Sequence, residues 1–167
     1  LREARALAHF QAMGFVVPVI RFFDLRKKDK WHAVLVTETL PEDFVSLDNF
    51  YPSARGQSLS AAMQEMIIEN LATTLARLHK LRWQHSSLMP KHIFIRLLEP
   101  TDSDQPARVE VAFLDLERAR RQFSIRRASR RDLHFMRERL LFWTEHDWAH
   151  FDRCYEQAFR QRSRCQE

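Results

Sequence analysis

A short polar loop carries most of the side chains that could do chemistry. Positions 85–95 read HSSLMPKHIFI, between a predicted helix and a predicted strand, and a second predicted strand ends at Asp115. An aspartate at a strand end is often a turn residue, but its carboxylate is also a ligand that Mg²⁺ prefers. Ser87 cannot accept a proton at neutral pH, so it could act only by orienting a hydroxyl. Phosphoryl transfer tolerates this, because it depends mainly on positioning and charge neutralisation.

Histidines supply two further candidates. His92 is either a partly buried histidine at a strand start or a metal ligand, although neutral imidazole suits Mg²⁺ poorly. His146 and His150 have the i, i+4 spacing of a zinc protease motif, but an aspartate stands where the glutamate is required, and we predict no metal there. We also interpret Cys154 and Cys165 as unpaired thiols.

Arginines are concentrated just after Asp115. Seven lie between positions 118 and 131 with no acidic residue among them. Such a run usually forms a solvated face. Guanidinium groups also suit phosphate and carboxylate, so we favour capture of an anionic substrate or membrane surface. The predicted anion-binding residues are Arg118, Arg120, Arg121, Arg126 and Arg127.

Composition excludes several classes of protein. The 167 residues carry a net charge of +5 but only two glycines and two cysteines. Two glycines cannot form a G-x-G-x-x-G motif or a Walker loop, and two cysteines cannot form a disulfide framework. No apolar stretch approaches the ~20 residues of a membrane span. We expect one domain or part of a larger one, and the helix-like start at Leu1 indicates a fragment.

The elements that must position these residues follow from periodicity. An apolar stripe that stops at Gly14 predicts a first helix, and positions 16–24 and 31–37 predict two antiparallel strands. Positions 59–81, after Ser58 or Ser60 as N-cap, predict a long amphipathic helix. Positions 93–98 and 109–116 predict a hairpin with turn composition at 100–106. Ser129 and Thr144, each three residues before an aspartate, predict the caps of two C-terminal helices. The fold class is α+β with segregated elements.

Helix, loop, strand and Asp115 in this order resemble the catalytic half of a protein kinase. There, an H-R-D-x-x-x-x-N loop and a D-F-G hairpin hold the reacting hydroxyl and Mg²⁺. The H-x-S-L-x-P-K-H-I-F and F-L-D-L-E sequences are most similar to the bacterial lipopolysaccharide kinase family, of WaaP and InaA type. The resemblance covers roughly Glu3 to Leu140. It implies a partial N-lobe of a helix and two strands, followed by a mainly helical C-lobe with a catalytic β-hairpin.

The resemblance also implies roles for individual residues. His85 matches the loop histidine, and Ser87 stands at the position of the usual catalytic aspartate. His92 and Asp115 match the two metal-holding positions. These assignments make His85, Ser87 and Asp115 the catalytic candidates, and Asp115 and His92 the metal ligands.

The resemblance also assigns residues to ATP binding. The resemblance implies that Glu3 is the helix glutamate that pairs with the ATP-binding lysine, and that Glu38 lies in the connection between the lobes. Lys91 of the loop is a third candidate for binding the cofactor, and Asp132 resembles the buried aspartate that braces the catalytic loop. The implied division is 1–37 for the rest of the N-lobe, 38–58 for the hinge and 59–167 for the C-lobe. The lysine strand and glycine-rich loop would lie upstream, so we expect this chain alone to be inactive and to bind ATP weakly.

Three functions are compatible with these features. The first is an ATP- and Mg²⁺-dependent kinase of a sugar hydroxyl, which the resemblance places on the lipopolysaccharide core or another glycolipid. It would be cytoplasmic, with peripheral association at the anionic inner membrane surface. The second is a pseudokinase scaffold without transfer activity, which the serine at position 87 suggests. A basic RNA-binding domain is disfavoured, because the tryptophans do not interleave with the arginines, and we expect no nucleic acid partner.

Overall fold

The computed structural model describes residues 2–98 and 107–161, and it shows three small sheets and six α-helices within those ranges. The predicted turn at 100–106 and Cys165 lie outside the described residues. The helices are α1 (Arg2–Ala12), α2 (Leu47–Phe50), α3 (Ala54–Gln57), α4 (Ala61–Lys80), α5 (Ile125–Arg139) and α6 (Glu145–Arg160). The strands are β1 (Ile20–Lys27), β2 (Trp31–Thr37), β3 (Val45–Ser46), β4 (Trp83–Gln84), β5 (Ile93–Leu98), β6 (Arg108–Phe113) and β7 (Arg120–Arg121).

The N-terminal hairpin is the least buried sheet. β1 and β2 pair antiparallel from Ile20 opposite Thr37 to Lys27 opposite Trp31. Most of their side chains are exposed, as the sequence predicted for a half-exposed sheet. The strand begins at Ile20 and not at Val16, because Val16 instead forms a parallel bridge to Ala112 of β6. This bridge joins the N-terminal part of the chain to the central hairpin.

α4 forms the centre of the core. Its buried positions recur at helical spacing, and they pack with α6 around Phe151, which has no exposed surface. Burial of each large apolar side chain contributes about 1.5–3 kcal/mol. Ser60 caps the helix by accepting the N–H of Met63 at 3.2 Å. The predicted helix over 59–81 is therefore confirmed, with Ser60 and not Ser58 as its cap.

The central sheet supports the polar loop. β5 pairs antiparallel with β6 from Ile93 opposite Phe113 to Leu98 opposite Arg108, and β3 lies on the other side of β5. The predicted hairpin is confirmed, but β6 ends at Phe113, before the predicted Leu116. The chain leaves the sheet there and enters a single 3-10 turn, Leu116–Arg118, with Asp115 as its first flanking residue.

The two C-terminal helices differ in how well their starts were predicted. Thr144 and Asp147 form the expected capping box of α6, with the Thr144 N–H and hydroxyl donating to Asp147 at 2.8 and 2.7 Å. The cap predicted at Ser129 is wrong. α5 starts one turn earlier, where Ser124 accepts the N–H of Arg127 at 3.2 Å, and Ser129 lies inside the helix. The periodicity of this arginine-rich stretch is weak, which hid its first turn.

Candidate active site

One buried carboxylate, that of Asp132, holds the loop that follows β4. Asp132 of α5 has no exposed surface. It accepts the backbone N–H of His85 at 2.6 Å and that of Ser86 at 2.8 Å. His79 of α4 lies 3.3 Å from the same carboxylate and 2.7 Å from the Tyr155 hydroxyl of α6. Three helices therefore fix the loop through one hydrogen-bonded chain, and Asp132 braces the loop as the resemblance implied.

His85 is fully buried and its ring contacts backbone groups. Its Nε2 lies 2.9 Å from the Leu114 carbonyl, which makes Nε2 the protonated nitrogen, and Nδ1 accepts the Ser87 N–H at 3.4 Å. Burial lowers the pKa of His85, an effect that the nearby His92 reinforces and that Asp132 opposes. The neutral ring therefore connects the loop to the end of β6, one residue before Asp115.

Ser87, His92 and Asp115 lie close together where the loop meets the end of β6. The Ser87 hydroxyl donates to the Asp115 carboxylate at 3.3 Å, and Nδ1 of His92 lies 3.4 Å from the same carboxylate oxygen. The ring also donates through Nδ1 to the Ser87 carbonyl at 2.8 Å. This leaves the lone pair on Nε2, for which the described residues provide no hydrogen-bond partner. The carboxylate and this nitrogen are both available to a ligand.

Asp115 has an unusual backbone. Its φ is 58° and its ψ is 57°, in the left-handed region, which aspartate and asparagine tolerate better than most other residues. Its side chain is 39% exposed and caps no helix. Asp115 therefore lies in a turn, as is common for an aspartate at a strand end, but its carboxylate makes no capping hydrogen bond.

Glu3 faces the same acidic corner from α1. The pKa of Glu3 is raised, first by partial burial and then by the negative charges of Asp115 and Glu117. α1 is held there by Arg77 of α4, which donates to the Met13 and Gly14 carbonyls at 3.1 and 2.8 Å. Gly14 ends the helix with the predicted left-handed φ, 73°. Within residues 2–98 and 107–161, no lysine or arginine forms an ion pair with Glu3, Asp115 or Glu117, and the Asp115 carboxylate lies 3.4 Å from the His92 ring.

The other two residues assigned to the cofactor do not join this group. Glu38 follows β2 and forms an ion pair with Arg21 of β1. Lys91 lies in the 3-10 turn Pro90–His92 and is exposed. Among the described residues, neither side chain forms a hydrogen bond or an ion pair with Asp115, Ser87 or His92.

The arginine segment forms two open clefts beside the loop. The first, of about 420 Å³, is lined by Arg2, Ser86, Arg118, Ala119, Arg120 and Arg131. The second, of about 550 Å³, shares Arg120 and Arg131 with the first and adds Gln84, Gln122, Arg127, Arg130 and His134. We call the two together the basic cleft. Of the five predicted anion-binding arginines, Arg118, Arg120 and Arg127 line it, whereas Arg121 and Arg126 line neither part.

The described residues contain one group of three possible metal ligands away from this site. Glu69 and Cys154 lie 3.4 and 3.6 Å from Nε2 of His150. Arg153 contacts Nδ1 of the ring at 3.3 Å. Because arginine can only donate, Nε2 carries the proton, which Cys154 Sγ accepts, and the Glu69 carboxylate lies within ion-pair distance of the same nitrogen. This is a hydrogen-bonded group, and His146 of the H-x-x-x-H spacing takes no part in it.

The comparison with protein families decides the assignment. The lipopolysaccharide kinase (Kdo/WaaP) family matches residues 1–155. The chain belongs to this family. Protein InaA of Escherichia coli (strain K12) is 26% identical over 149 residues, which cover 89% of this chain and 65% of InaA. The chain thus spans about two thirds of the length of this relative.

Solved structures confirm the kinase-like fold of this lipopolysaccharide kinase family member. The structure of WaaP in complex with acyl carrier protein matches with a TM-score of 0.75 and 21% identity, over 93% of this chain and 65% of that chain. The Rio2 kinase–ADP/Mg²⁺–phosphoaspartate complex from Chaetomium thermophilum matches with a TM-score of 0.55 and 13% identity, over 96% of this chain and 44% of that chain. None of the helices in the described part of the chain is long and apolar enough to span a bilayer.

Sequence reasoning missed several residues of the family member's basic cleft. Gln84 and Ser86 carried no motif signal, because a glutamine and a serine next to a loop are ordinary polar residues. Arg130 and Arg131 belong to the run of seven arginines for which the sequence predicted anion capture, and the structure places both at the cleft. Arg2 is far away in the sequence, and only the packing of α1 brings it to the cleft.

Proposed function

We propose that the intact protein transfers a phosphoryl group from ATP to a sugar hydroxyl. The observation that carries this proposal is the convergence of Ser87, His92 and Asp115 on a loop that Asp132 braces. Family membership supports a kinase, and the geometry indicates which atoms would face the reacting groups. The Ser87 hydroxyl and the Asp115 carboxylate are 3.3 Å apart, so an acceptor hydroxyl could contact both.

Asp115 is the candidate ligand for a divalent cation, because its carboxylate is partly exposed and makes no capping hydrogen bond. Asp115 would hold Mg²⁺ through its carboxylate, and His92 would contribute Nε2. When bound, Mg²⁺ supplies neutralisation of the charge on the transferred group.

Ser87 would orient the acceptor. A serine hydroxyl at neutral pH cannot take the acceptor proton, so its role is to hold the attacking oxygen in line. The new bond forms between this oxygen and the terminal phosphorus of ATP, while the bond from that phosphorus to the bridging oxygen breaks. ADP leaves with the electron pair, and the hydroxyl proton passes to solvent. A loose transition state makes little demand on a base.

His85 would act as a positioning residue. Both ring nitrogens contact backbone groups, so the ring fixes the distance between the loop and the end of β6 and does not touch the substrate. We assign Glu3 to the nucleotide side of the site, beside Asp115. Glu38 and Lys91 remain proposals for nucleotide contacts that would form in the ATP-bound protein.

The acceptor would be the lipopolysaccharide core or another glycolipid. The net charge of +5 and the arginines of the basic cleft favour an anionic ligand or membrane surface. We therefore propose a cytoplasmic protein with peripheral attachment at the inner membrane. No nucleic acid partner is proposed.

One observation favours a second candidate, a pseudokinase that binds a partner without transfer. The residue facing Asp115 is Ser87, where kinases carry an aspartate. A scaffold would keep the braced loop and the fold but would have no turnover. The two candidates differ in chemistry and not in binding.

The test is a transfer assay on the full-length protein with radiolabelled ATP, Mg²⁺ and purified lipopolysaccharide. A kinase incorporates label, Ser87→Ala lowers the rate, and Asp115→Asn abolishes it. Incorporation that is no greater than that of Asp115→Asn would overturn the kinase proposal in favour of the scaffold. Mg²⁺-dependent binding of ADP, measured by calorimetry, then shows whether the scaffold retains the nucleotide.

A further inference from the structure

The basic cleft contains more positive charge than the protein balances. Six arginines line it: Arg2, Arg118, Arg120, Arg127, Arg130 and Arg131. Within residues 2–98 and 107–161, none of the six forms an ion pair with a carboxylate. Elsewhere in the protein Arg96 pairs with Glu110 and Asp43, and Arg137 pairs with Asp152. Like charges around the basic cleft repel each other, so an anion that enters it is attracted by these guanidinium groups.

Two buried donors face the same cleft without partners. Gln84 is 1% exposed and Ser86 is 6% exposed. The Gln84 Oε1 accepts from Gln122, but in the described part of the chain the Gln84 Nε2 has no hydrogen-bond partner, and neither has the Ser86 hydroxyl. A buried donor left unpaired is unfavourable, and native proteins rarely keep one without a reason. Both side chains line the cleft, Gln84 in its larger part and Ser86 in its smaller part.

The donors identify the chemical class of the ligand. Guanidinium forks bind phosphate and carboxylate through two parallel hydrogen bonds. A carboxylate has two oxygens and is satisfied by one fork, whereas a phosphomonoester offers three oxygens and up to two charges. Six guanidinium groups, an amide and a hydroxyl match the larger charge. Volumes of about 420 and 550 Å³ also fit a sugar phosphate.

We propose that the basic cleft recognises a phosphate already present on the sugar acceptor. This inference rests on the proposed kinase function and specifies its substrate as a phosphorylated sugar. Ser86 is the sequence neighbour of Ser87, so recognition of the phosphate and transfer to a free hydroxyl of the same sugar would involve adjacent residues of one loop.

The test measures phosphate recognition without turnover. Glucose 6-phosphate serves as the probe and glucose as the uncharged control, with binding to the full-length protein followed by calorimetry. The variant Arg120→Gln/Arg131→Gln removes the two arginines shared by both parts of the cleft. The variant Arg121→Gln/Arg126→Gln removes the same charge from the same run outside the cleft. Thermal unfolding establishes that both variants fold.

We expect the cleft variant to lose roughly 100-fold in affinity for glucose 6-phosphate, because it lacks two charge-assisted contacts. The control variant should remain within about twofold of the wild type. Ser86→Ala, which keeps the backbone and removes one donor, should lose roughly fivefold. Glucose should bind at least about 100-fold more weakly than its phosphate.

Three results would overturn the inference. Equal losses in the two double variants would mean a diffuse basic face and no defined site. Equal affinity for glucose and its phosphate would exclude phosphate recognition, and competition between the probe and ADP would assign the cleft to the nucleotide. Failure of the proposed kinase function would give a different result from failure of the phosphate site. A protein without transfer activity that still binds the probe in a cleft-dependent way lacks the kinase function but retains the phosphate site.

Discussion

The polar loop at 85–92 and the arginine segment at 118–131 lie on the two sides of Asp115, and they satisfy their polar groups in opposite ways. In the loop, backbone N–H groups and histidine rings find partners inside the protein, down to the Asp132 carboxylate. In the arginine segment, the cationic groups face open clefts and lack carboxylate partners among the described residues. Apart from the Ser86 hydroxyl and Nε2 of His92, the loop finds its partners inside the protein, whereas the arginine segment has no carboxylate partner among the described residues.

Residues of the loop therefore hold the site in its geometry, whereas residues of the arginine segment are available to bind a ligand. A buried network such as Asp132–His85 keeps its geometry whether or not substrate is present, because every group in it is already paired. Unpaired arginines contribute nothing to stability and some repulsion, so their benefit appears only on binding. Substitutions in the loop should therefore change folding and chemistry, whereas substitutions in the arginine segment should change affinity.

The largest effect is expected at the point where the two regions meet. Asp115→Asn should keep the fold, since asparagine also tolerates the left-handed backbone, and should lower turnover by roughly 1,000-fold, about 4 kcal/mol. Initial rates of phosphoryl transfer by the full-length protein measure this. Asp29→Asn, in the exposed turn between β1 and β2, is the control and should leave the rate unchanged. Full activity of a folded Asp115→Asn protein would remove Asp115 from the mechanism.

The next effect tests the brace of the loop. Asp132→Ala leaves the buried N–H groups of His85 and Ser86 without acceptors, so we expect a loss of about 3 kcal/mol in the free energy of unfolding. Urea titration measures it. Asp152→Ala removes an exposed carboxylate that pairs with Arg137, and should cost below about 1 kcal/mol. Similar losses in the two variants would show that the loop does not depend on Asp132.

A smaller effect concerns pH. Burial lowers the pKa of His85 below its ordinary value of about 6.5. At a pH between the folded-state pKa and the ordinary one, the unfolded chain therefore binds more protons than the folded chain. The neutral ring's contribution to the free energy of unfolding is complete above about pH 6.5. It is lost as the pH falls, with a slope of at most about 1.4 kcal/mol per pH unit. Urea titrations from pH 5 to 8 should show a shallower slope in His85→Gln. Parallel slopes would contradict a buried neutral ring.

The smallest effect lies in the arginine segment. Arg126 is in the first turn of α5, where positive charge opposes the helix dipole, so Arg126→Gln should stabilise the protein by about 0.5 kcal/mol. Arg139→Gln, in the last turn, should destabilise it by a similar amount. Thermal unfolding of both variants checks the difference in sign. A loss of stability in Arg126→Gln would mean that this arginine has a structural partner.

Local patterns in the sequence predicted most of the elements and the side chains that converge at the candidate site. The spacing of apolar side chains predicted α4, because burial of one helix face imposes a period of 3.6 residues. Strand-like runs predicted the hairpins, and the loop motif together with Asp115 identified the side chains that converge. These signals are local: they depend on neighbours within one or two turns or along one strand. The resemblance to lipopolysaccharide kinases added the roles of these residues.

Tertiary structure alone decided how the site is held and where it is open. Asp132 was a suspected cap and a suspected brace, and only packing of α5 against β4 shows that it accepts the N–H groups of His85 and Ser86. Packing of α1 brings Glu3 to Asp115. Sequence could not distinguish the arginines that line the cleft from Arg121 and Arg126, because the run has one composition throughout. Hydrogen bonds and cavities join residues that are distant in the chain, and no local period records such pairings.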